Sequence, residues 1–182
     1  TIDVTYASAQ VERPPDDRRM LLVAPDAPRT RGGGLIPREG DRWDVVLQGV
    51  HGDAPPTTRD GLIAFAESLP VSELAELLRT RPWVDEAIRR YPYPASLRRR
   101  YEDLDRFPEG LVVTGDAVAS FNPIYGQGMS VAALDAVSLH HALASGGPDG
   151  VADRFFDRAG ALRDVVWRLV VGSDFQFEAT TG

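Results

Sequence analysis

Hydrophobic and polar residues alternate with a period of two over residues 2–12, which is the pattern of a half-buried β-strand. The short apolar run at 20–24 predicts a second strand. Residues 34–37 and 43–50 predict the two arms of a hairpin, because residues 39–41 between them supply Gly and Asp for the turn. Several antiparallel strands in succession predict a sheet with one face that other elements must cover.

Helical periodicity after this hairpin predicts two helices that cover part of the sheet. Thr58 or Asp60 can cap a helix that continues to about Ser68, with its apolar side chains on one face. Ser72 can cap the next helix, in which leucines form an apolar stripe, and Pro82 ends it.

The pattern changes again beyond these helices. Residues 83–103 favour extended structure, interrupted by Pro92 and Pro94. Residues 106–110 favour a turn, and the apolar run that follows predicts a central strand at 111–115.

Two further helices are predicted in the last third of the chain. The first runs from about Gly128 to Ala144 and ends at the glycines and proline of 146–148. The second spans roughly 151–171, and its apolar residues recur at helical spacing, which predicts one buried face: Val151, Phe155, Ala159, Leu162, Val166 and Leu169. We therefore expect an α/β (α+β) fold with a boundary near residue 105, a β-rich layer at 1–105 and a strand–helix–helix unit at 106–182.

Composition excludes several classes of function. The chain of 182 residues has no Cys, which excludes disulfides, thiolate metal sites and cysteine nucleophiles. All 20 basic residues are Arg, so Schiff-base and P-loop chemistry, which need a lysine amine, are excluded. The net charge of −7 argues against nucleic-acid binding. We expect no metal site, because His51, His140 and His141 do not form a ligand set.

No apolar run approaches the length of about 18 residues that a bilayer span requires, and no signal peptide is recognisable. We therefore expect a cytoplasmic protein with no membrane span. The dense basic run Arg98–Arg100 is interpreted as solvated or ion-paired rather than as a polyanion site.

One segment constrains function more tightly than the rest: residues 111–135 read LVVTGDAVASFNPIYGQGMSVAALD. The predicted strand brings Asp116 to the edge where ligands of α/β sheets collect. Gly126 and Gly128 allow backbone to approach a ligand closely. The start of the following helix offers unpaired N–H groups and a partial positive charge. These features suit a bulky anionic cofactor.

This segment resembles the second FAD-binding motif of flavin-dependent aromatic hydroxylases, the p-hydroxybenzoate hydroxylase-like monooxygenases. The residues that match are Gly115, Asp116, Pro123, Gly126, Gly128 and the helix turn Ala132–Asp135. Segments 29–53 and 91–110 look like the substrate-domain strands and return connection of that family. The resemblance implies that 1–105 is a substrate-domain sheet layer with two helices, and that 106–182 is the C-terminal part of a Rossmann-like FAD-binding domain.

The resemblance also implies a role for each matching residue. Asp116 would accept a hydrogen bond from a ribityl hydroxyl of FAD. The N–H groups of Gly128 and Met129 would lie beside N1 and O2 of the isoalloxazine, where negative charge gathers on reduction. Cofactor-binding positions are therefore expected at Gly115, Asp116, Pro123, Gly126, Gln127, Gly128 and Met129. Substrate-side candidates are Asn122, Phe121, Tyr125 and Trp43; for the three aromatic residues, packing in the core is the favoured alternative.

The implied reaction is that of an FAD-dependent monooxygenase. NAD(P)H reduces the flavin, O2 adds to give a C4a-hydroperoxide, and a small organic substrate is hydroxylated or epoxidised. Such oxygen transfer needs no protein nucleophile, and no catalytic residue is assigned. Ser120 and Ser130 lack a His partner in a recognisable nucleophile motif.

Two alternatives stay open. One is another flavin redox outcome, such as a reductase or a halogenase, although a halogenase-like site would require a Lys near the flavin. The other is a non-catalytic fragment or binding module that cannot hold FAD. The strand–GxGxxG–helix unit that holds the ADP half of FAD in the family does not occur in this sequence. We therefore expect an N-terminal segment of the same polypeptide to carry it, and expect this chain alone to be inactive and to bind FAD weakly or not at all.

Overall fold

The computed structural model describes residues 1–182 and divides into two compact units. The first comprises residues 1–94 together with 176–182, and the second comprises residues 95–175. The predicted boundary near residue 105 lies inside the second unit. Residues 97–98 belong there because they pair with a strand later in the same unit.

The first unit is built on a five-stranded antiparallel sheet with the strand order β2-β3-β4-β1-β5. Its strands are β1 (Val4–Glu12), β2 (Leu21–Val23), β3 (Arg31–Arg38), β4 (Arg42–Gly49) and β5 (Arg89–Tyr93). The predicted first strand, second strand and hairpin are confirmed. Pro92 is accommodated because β5 is an edge strand, where a missing N–H donor is tolerated.

Helices α1 (Arg59–Glu67) and α2 (Glu73–Thr80) cover one face of this sheet, as the sequence predicts. Alternate residues of β1 and β4 point towards them, since side chains along a strand alternate between faces. The core that results contains Ala7, Ala9, Val11, Trp43, Val45, Leu47, Leu62, Phe65, Leu74 and Leu78.

The two predicted helix caps behave differently. Thr58 has extended backbone, and its hydroxyl accepts a hydrogen bond from the Gly61 N–H at 3.3 Å. Ser72 precedes α2 but has helical backbone and makes no side-chain cap hydrogen bond. The predicted capping role of the Ser72 side chain is therefore wrong, because a cap residue needs non-helical dihedrals to aim its oxygen at the free N–H groups.

This difference gives a matched pair of variants. Thr58→Ala should lower the free energy of unfolding of the first unit by about 1 kcal/mol, because it removes the acceptor of an N-terminal N–H. Ser72→Ala should change it by no more than about 0.3 kcal/mol, since no cap hydrogen bond is lost. Urea unfolding followed by circular dichroism measures both. Equal losses in the two variants would contradict the capping geometry.

The second unit contains a two-stranded pair and two long helices. Strand β6 (Leu97–Arg98) pairs with β7 (Ala119–Ser120), and the helices are α3 (Gly128–Gly146) and α4 (Val151–Asp174). Short 3-10 turns occupy Tyr101–Asp103, Gly115–Ala117 and Pro123–Tyr125. Where α3 packs on α4, the core contains Ala142, Val151, Ala152, Phe155, Phe156 and Ala159.

Two sequence predictions for this unit are wrong. Residues 111–114 do not form a strand, because no other strand lies beside them to complete a hydrogen-bonded ladder. Val112 and Val113 are half-buried against the α3–α4 core instead. On α4, Leu169 is 68% exposed rather than buried.

The buried face of α4 also contains polar residues that hydrophobic periodicity does not reveal. Arg163 and Asp174 are buried on it, together with Phe155, Ala159 and Val170. Their partners lie on other elements of the unit, so an ion pair at Arg163 and hydrogen bonds to Asp174 help to set the rotation of the helix. None of the four helices combines the length and the apolar character of a bilayer span.

Candidate functional site

The residues that the glycine-rich motif singles out surround one shallow cavity at the start of α3. Its volume is about 340 Å³, and we call it the α3 groove; it is lined by Asp116, Phe121, Pro123, Gly126, Gln127, Gly128, Met129 and Ala132. All of these residues belong to the second unit. The structure therefore brings together, in a single concavity, most of the positions predicted to contact a cofactor.

The backbone before α3 turns tightly to form the floor of the groove. The Asn122 side chain accepts a hydrogen bond from the Ile124 N–H at 3.3 Å, and Pro123 begins the 3-10 turn. Gly126 ends that turn in the left-handed region, with φ of 64°. Such a φ strains any residue with a Cβ. The glycine is therefore required by the turn as well as by access to the groove.

The start of α3 presents donors to the groove. The first intrahelical hydrogen bond is donated by the Val131 N–H to the Gln127 carbonyl, so the N–H groups of residues 128–130 precede the hydrogen-bonded ladder. Gln127 occupies the cap position without a side-chain cap hydrogen bond. Unpaired N–H groups and the helix dipole together favour an electron-rich ligand edge.

Asp116 is exposed and lies close to these donors. A Cβ built on Gly128 would lie 3.8 Å from Asp116 Oδ1. The groove thus combines a hydrogen-bond acceptor with a set of backbone donors, a few ångströms apart. A Cβ built on Gly126 would meet no atom within 4 Å, so the space above Gly126 is open.

A buried carboxylate on α4 holds the turn in place. Asp174 Oδ1 accepts hydrogen bonds from Asn122 Nδ2 at 3.0 Å and from the Tyr125 hydroxyl at 2.9 Å. Two of the predicted substrate-side residues therefore direct their polar groups to Asp174. Phe121 packs against Trp167 and also lines the α3 groove, so it is both core and wall.

Burial raises the pKa of Tyr125, and the charge and hydrogen bond of Asp174 raise that pKa further. A group whose pKa is higher in the folded state keeps its proton longer there than in the unfolded chain. Its contribution to stability is complete below the unfolded pKa of about 10 and is lost as the pH rises above that value.

We therefore expect the free energy of unfolding of the native chain to fall more steeply above about pH 10 than that of Tyr125→Phe, which has no phenol to titrate. At neutral pH the variant should be less stable by about 1 kcal/mol, for the lost hydrogen bond. Urea unfolding at a series of pH values measures both effects. Parallel pH profiles for the two proteins would contradict the buried Tyr125–Asp174 contact.

A buried ion pair between α3 and α4 contacts the turn at Gly115, next to the groove residue Asp116. The Gly115 N–H donates to Asp135 Oδ2 at 3.0 Å, and Arg163 donates to the same oxygen at 2.7 Å. Asp135 belongs to the sequence motif, but the sequence alone did not indicate its role. Arg163 and Asp174 lie outside the motif and were not predicted as functional residues. The available signal was a charged residue at an inward position of an otherwise apolar helix, since such residues are seldom buried unless paired.

Trp43 does not lie at the α3 groove. Its ring is fully buried in the helix-covered core of the first unit, and its Nε1 donates to the Arg19 carbonyl at 3.2 Å. Trp43 shares a strand face with Val45 and Leu47, which explains its packing role. The prediction that Trp43 lines a substrate cavity is therefore wrong, because its ring belongs to the core.

Other parts of the molecule offer less suitable chemistry. A cavity of about 360 Å³ beside β2 and α2 is lined by arginines, glutamates and leucines and contains none of the motif residues. No group of three or more His, Asp or Glu side chains is placed to hold a metal ion.

Comparison with known proteins shows where this fold occurs. No protein-family model matches the chain. Protein Rv3254 of Mycobacterium tuberculosis is 38% identical over 146 residues, which are 78% of this chain and 30% of that protein. The chain thus spans less than a third of that relative.

Solved structures with a similar fold include flavin-dependent enzymes. They include the flavin-dependent brominase Bmp2 (17% identity, TM-score 0.67, 96% of this chain and 46% of that one). HpxO of Klebsiella pneumoniae, complexed with FAD and uric acid, matches at 23% identity and TM-score 0.59, over 95% and 43% of the two chains. PqsL of Pseudomonas aeruginosa, a probable FAD-dependent monooxygenase, matches at 21% identity and TM-score 0.62, over 93% of this chain and 46% of PqsL. The fold of this chain corresponds to slightly under half of each of these enzymes.

Proposed function

We propose that this chain supplies the flavin-ring and ribityl contacts of an FAD-dependent oxidoreductase, a monooxygenase that hydroxylates or epoxidises a small organic substrate with NAD(P)H and O2. One observation carries the proposal. Most of the residues predicted to bind the flavin, which lie between 116 and 129 in sequence, line a single groove at the start of a long helix. The fold shared with flavin-dependent enzymes supports it.

The residues present fit a flavin. The space above Gly126 is open, and a Cβ at Gly128 would make only an ordinary contact with Asp116, so backbone at both glycines can approach a flat ring edge. In this proposal the N–H groups at the start of α3 donate to the electron-rich pyrimidine edge, where the helix dipole favours negative charge. The Asp116 carboxylate is an acceptor for a sugar-alcohol hydroxyl. When bound, FAD supplies hydride acceptance and O2 activation, and these residues orient it.

The walls of the groove support a substrate side next to the flavin ring. Phe121 and Pro123 give it an apolar edge, while Asn122 and Tyr125 hold the turn through Asp174. An apolar wall beside the reactive ring suits a small organic substrate and keeps water away from the reacting atoms.

A companion segment is part of this proposal. Helix α3 exposes a broad apolar surface: Ala132, Ala133, Leu134, Ala136, Val137 and Leu143. Residues 111–114 have strand-like composition but no pairing strand. We propose that an N-terminal segment of the same polypeptide, with the glycine-rich unit for the ADP half of FAD, covers this helix surface and pairs with that segment. Exposed apolar patches of this kind commonly mark such contacts.

The division of labour predicts how this chain alone treats different flavins. Without the ADP-binding unit, FAD should bind it no more tightly than FMN, with dissociation constants equal within about threefold and on the order of 1 mM. Equilibrium dialysis of the purified chain with each flavin measures both constants. Binding of FAD much tighter than that of FMN would contradict the proposed division. Binding of neither would favour the alternative of a folded module without a flavin.

A further inference from the structure

The second unit contains a charge pair that is sealed from solvent. Asp135 on α3 and Arg163 on α4 are both 0% exposed, and Arg163 donates to Asp135 Oδ2 at 2.7 Å. The guanidinium also lies over the Phe155 ring, 5.3 Å from its centroid. Burying two charges is costly, and their mutual attraction repays the cost only when the remaining polar atoms are also satisfied.

In the Asp135–Arg163 pair, some polar atoms have no hydrogen-bond partner. Asp135 Oδ1, Arg163 Nε and Arg163 Nη1 are buried without a hydrogen-bond partner. Apolar residues of similar volume would join α3 to α4 at least as well, because replacing both partners of a buried ion pair is often neutral or stabilising. Helix packing alone therefore does not account for charges at these two positions.

The second contact of Asp135 supplies a reason. The oxygen that accepts from Arg163 also accepts from the Gly115 N–H at 3.0 Å. Gly115 has φ of 60°, in the left-handed region, and a Cβ built on it would contact Ala132 of α3. Gly115 directly precedes Asp116 in the chain. Asp135 thus fixes the backbone conformation from which the exposed Asp116 carboxylate extends to the α3 groove.

We infer that Asp135 is a positioning residue for Asp116, and that Arg163 orients Asp135 and compensates its buried charge. The inference deepens the proposed function and rests on it, because Asp116 is there the acceptor for a flavin hydroxyl. Asp135 does not line the groove. It acts through the Gly115 peptide.

Two double variants separate positioning from packing. D135L/R163M removes both charges and leaves the Gly115 N–H without its acceptor. D135N/R163M also removes both charges but retains an amide oxygen that can accept from Gly115. Both should fold, as judged by circular dichroism and by urea unfolding. If D135L/R163M fails to fold, D135A/R163M makes the same comparison with a smaller side chain.

The first measurement needs no flavin. Amide hydrogen exchange at Gly115, followed by NMR on the purified chain, should be at least about tenfold faster in D135L/R163M than in the native protein. In D135N/R163M it should remain near the native rate. Equal exchange at Gly115 in all three proteins would overturn the inference.

The second measurement is FMN affinity by equilibrium dialysis. D135L/R163M should bind FMN about tenfold more weakly than the native chain, and D135N/R163M should recover native affinity within about twofold. If all three bind FMN equally, the positioning role is refuted while the flavin site stands. If the native chain binds no FMN, the proposed function fails, and exchange at Gly115 alone decides whether Asp135 fixes that peptide.

Discussion

Replacing Arg163 alone by Met is expected to lower the free energy of unfolding of the second unit by about 3–5 kcal/mol. The substitution leaves the Asp135 carboxylate buried between α3 and α4 with only the Gly115 N–H as a partner. An uncompensated buried charge is far more destabilising than the absence of both charges, so the single variant should be much less stable than D135L/R163M.

Hydrogen exchange measured by mass spectrometry tests this expectation unit by unit. Peptides from α3 and α4 should exchange faster in Arg163→Met, whereas those from α1 and α2, which belong to the first unit, should not change. The α1 and α2 peptides therefore serve as an internal control. A loss below about 1 kcal/mol in the second unit would contradict the sealed geometry of this pair, since such a loss is typical of exposed ion pairs.

Gly128→Asp is expected to weaken FMN binding at least tenfold, about 1.4 kcal/mol, without unfolding the chain. The new side chain would occupy the open space of the α3 groove, and its charge would repel both Asp116 and the electron-rich edge of the ring. The same carboxylate stands at the first position of α3, where the helix dipole favours it by about 0.3–1 kcal/mol. Stability and binding should therefore respond separately.

Gly128→Ala is the matched control for this variant. Its Cβ would be 3.8 Å from Asp116 Oδ1, an ordinary contact, and it adds no charge. We expect FMN affinity within about threefold of the native value. Dialysis with FMN and thermal unfolding of both variants give the comparison. Native-like FMN affinity in Gly128→Asp would show that the start of α3 does not contact the ring.

Features that depend on local sequence were predicted well. The alternation of β1 and the turn residues of the β3–β4 hairpin act over a few neighbouring residues, and the structure contains both elements. The motif residues from Asp116 to Met129 converge on one groove because a proline turn, a left-handed glycine and a helix start follow each other directly.

Features that depend on distant partners were not predictable in this way. The apolar run at 111–114 has strand composition, but a strand exists only where another strand pairs with it. Arg163 and Asp174 are buried because they are paired, with Asp135 and Asn122 respectively. These partners lie 28 and 52 residues away in sequence, so hydrophobic periodicity does not reveal them. Trp43 is a different case, since its alternation with Val45 and Leu47 already indicated the core face of β4.

The most direct test of the flavin site is an amide NMR titration of the purified chain with FMN. We predict saturable shifts at residues 115–116 and 126–129, with a dissociation constant on the order of 1 mM for the native chain and one at least about tenfold higher for Gly128→Asp. The same residues should shift with FAD. Shifts spread over the sheet of the first unit, or no saturable shift at these six amides with about 5 mM FMN, would contradict a flavin-ring site at the start of α3.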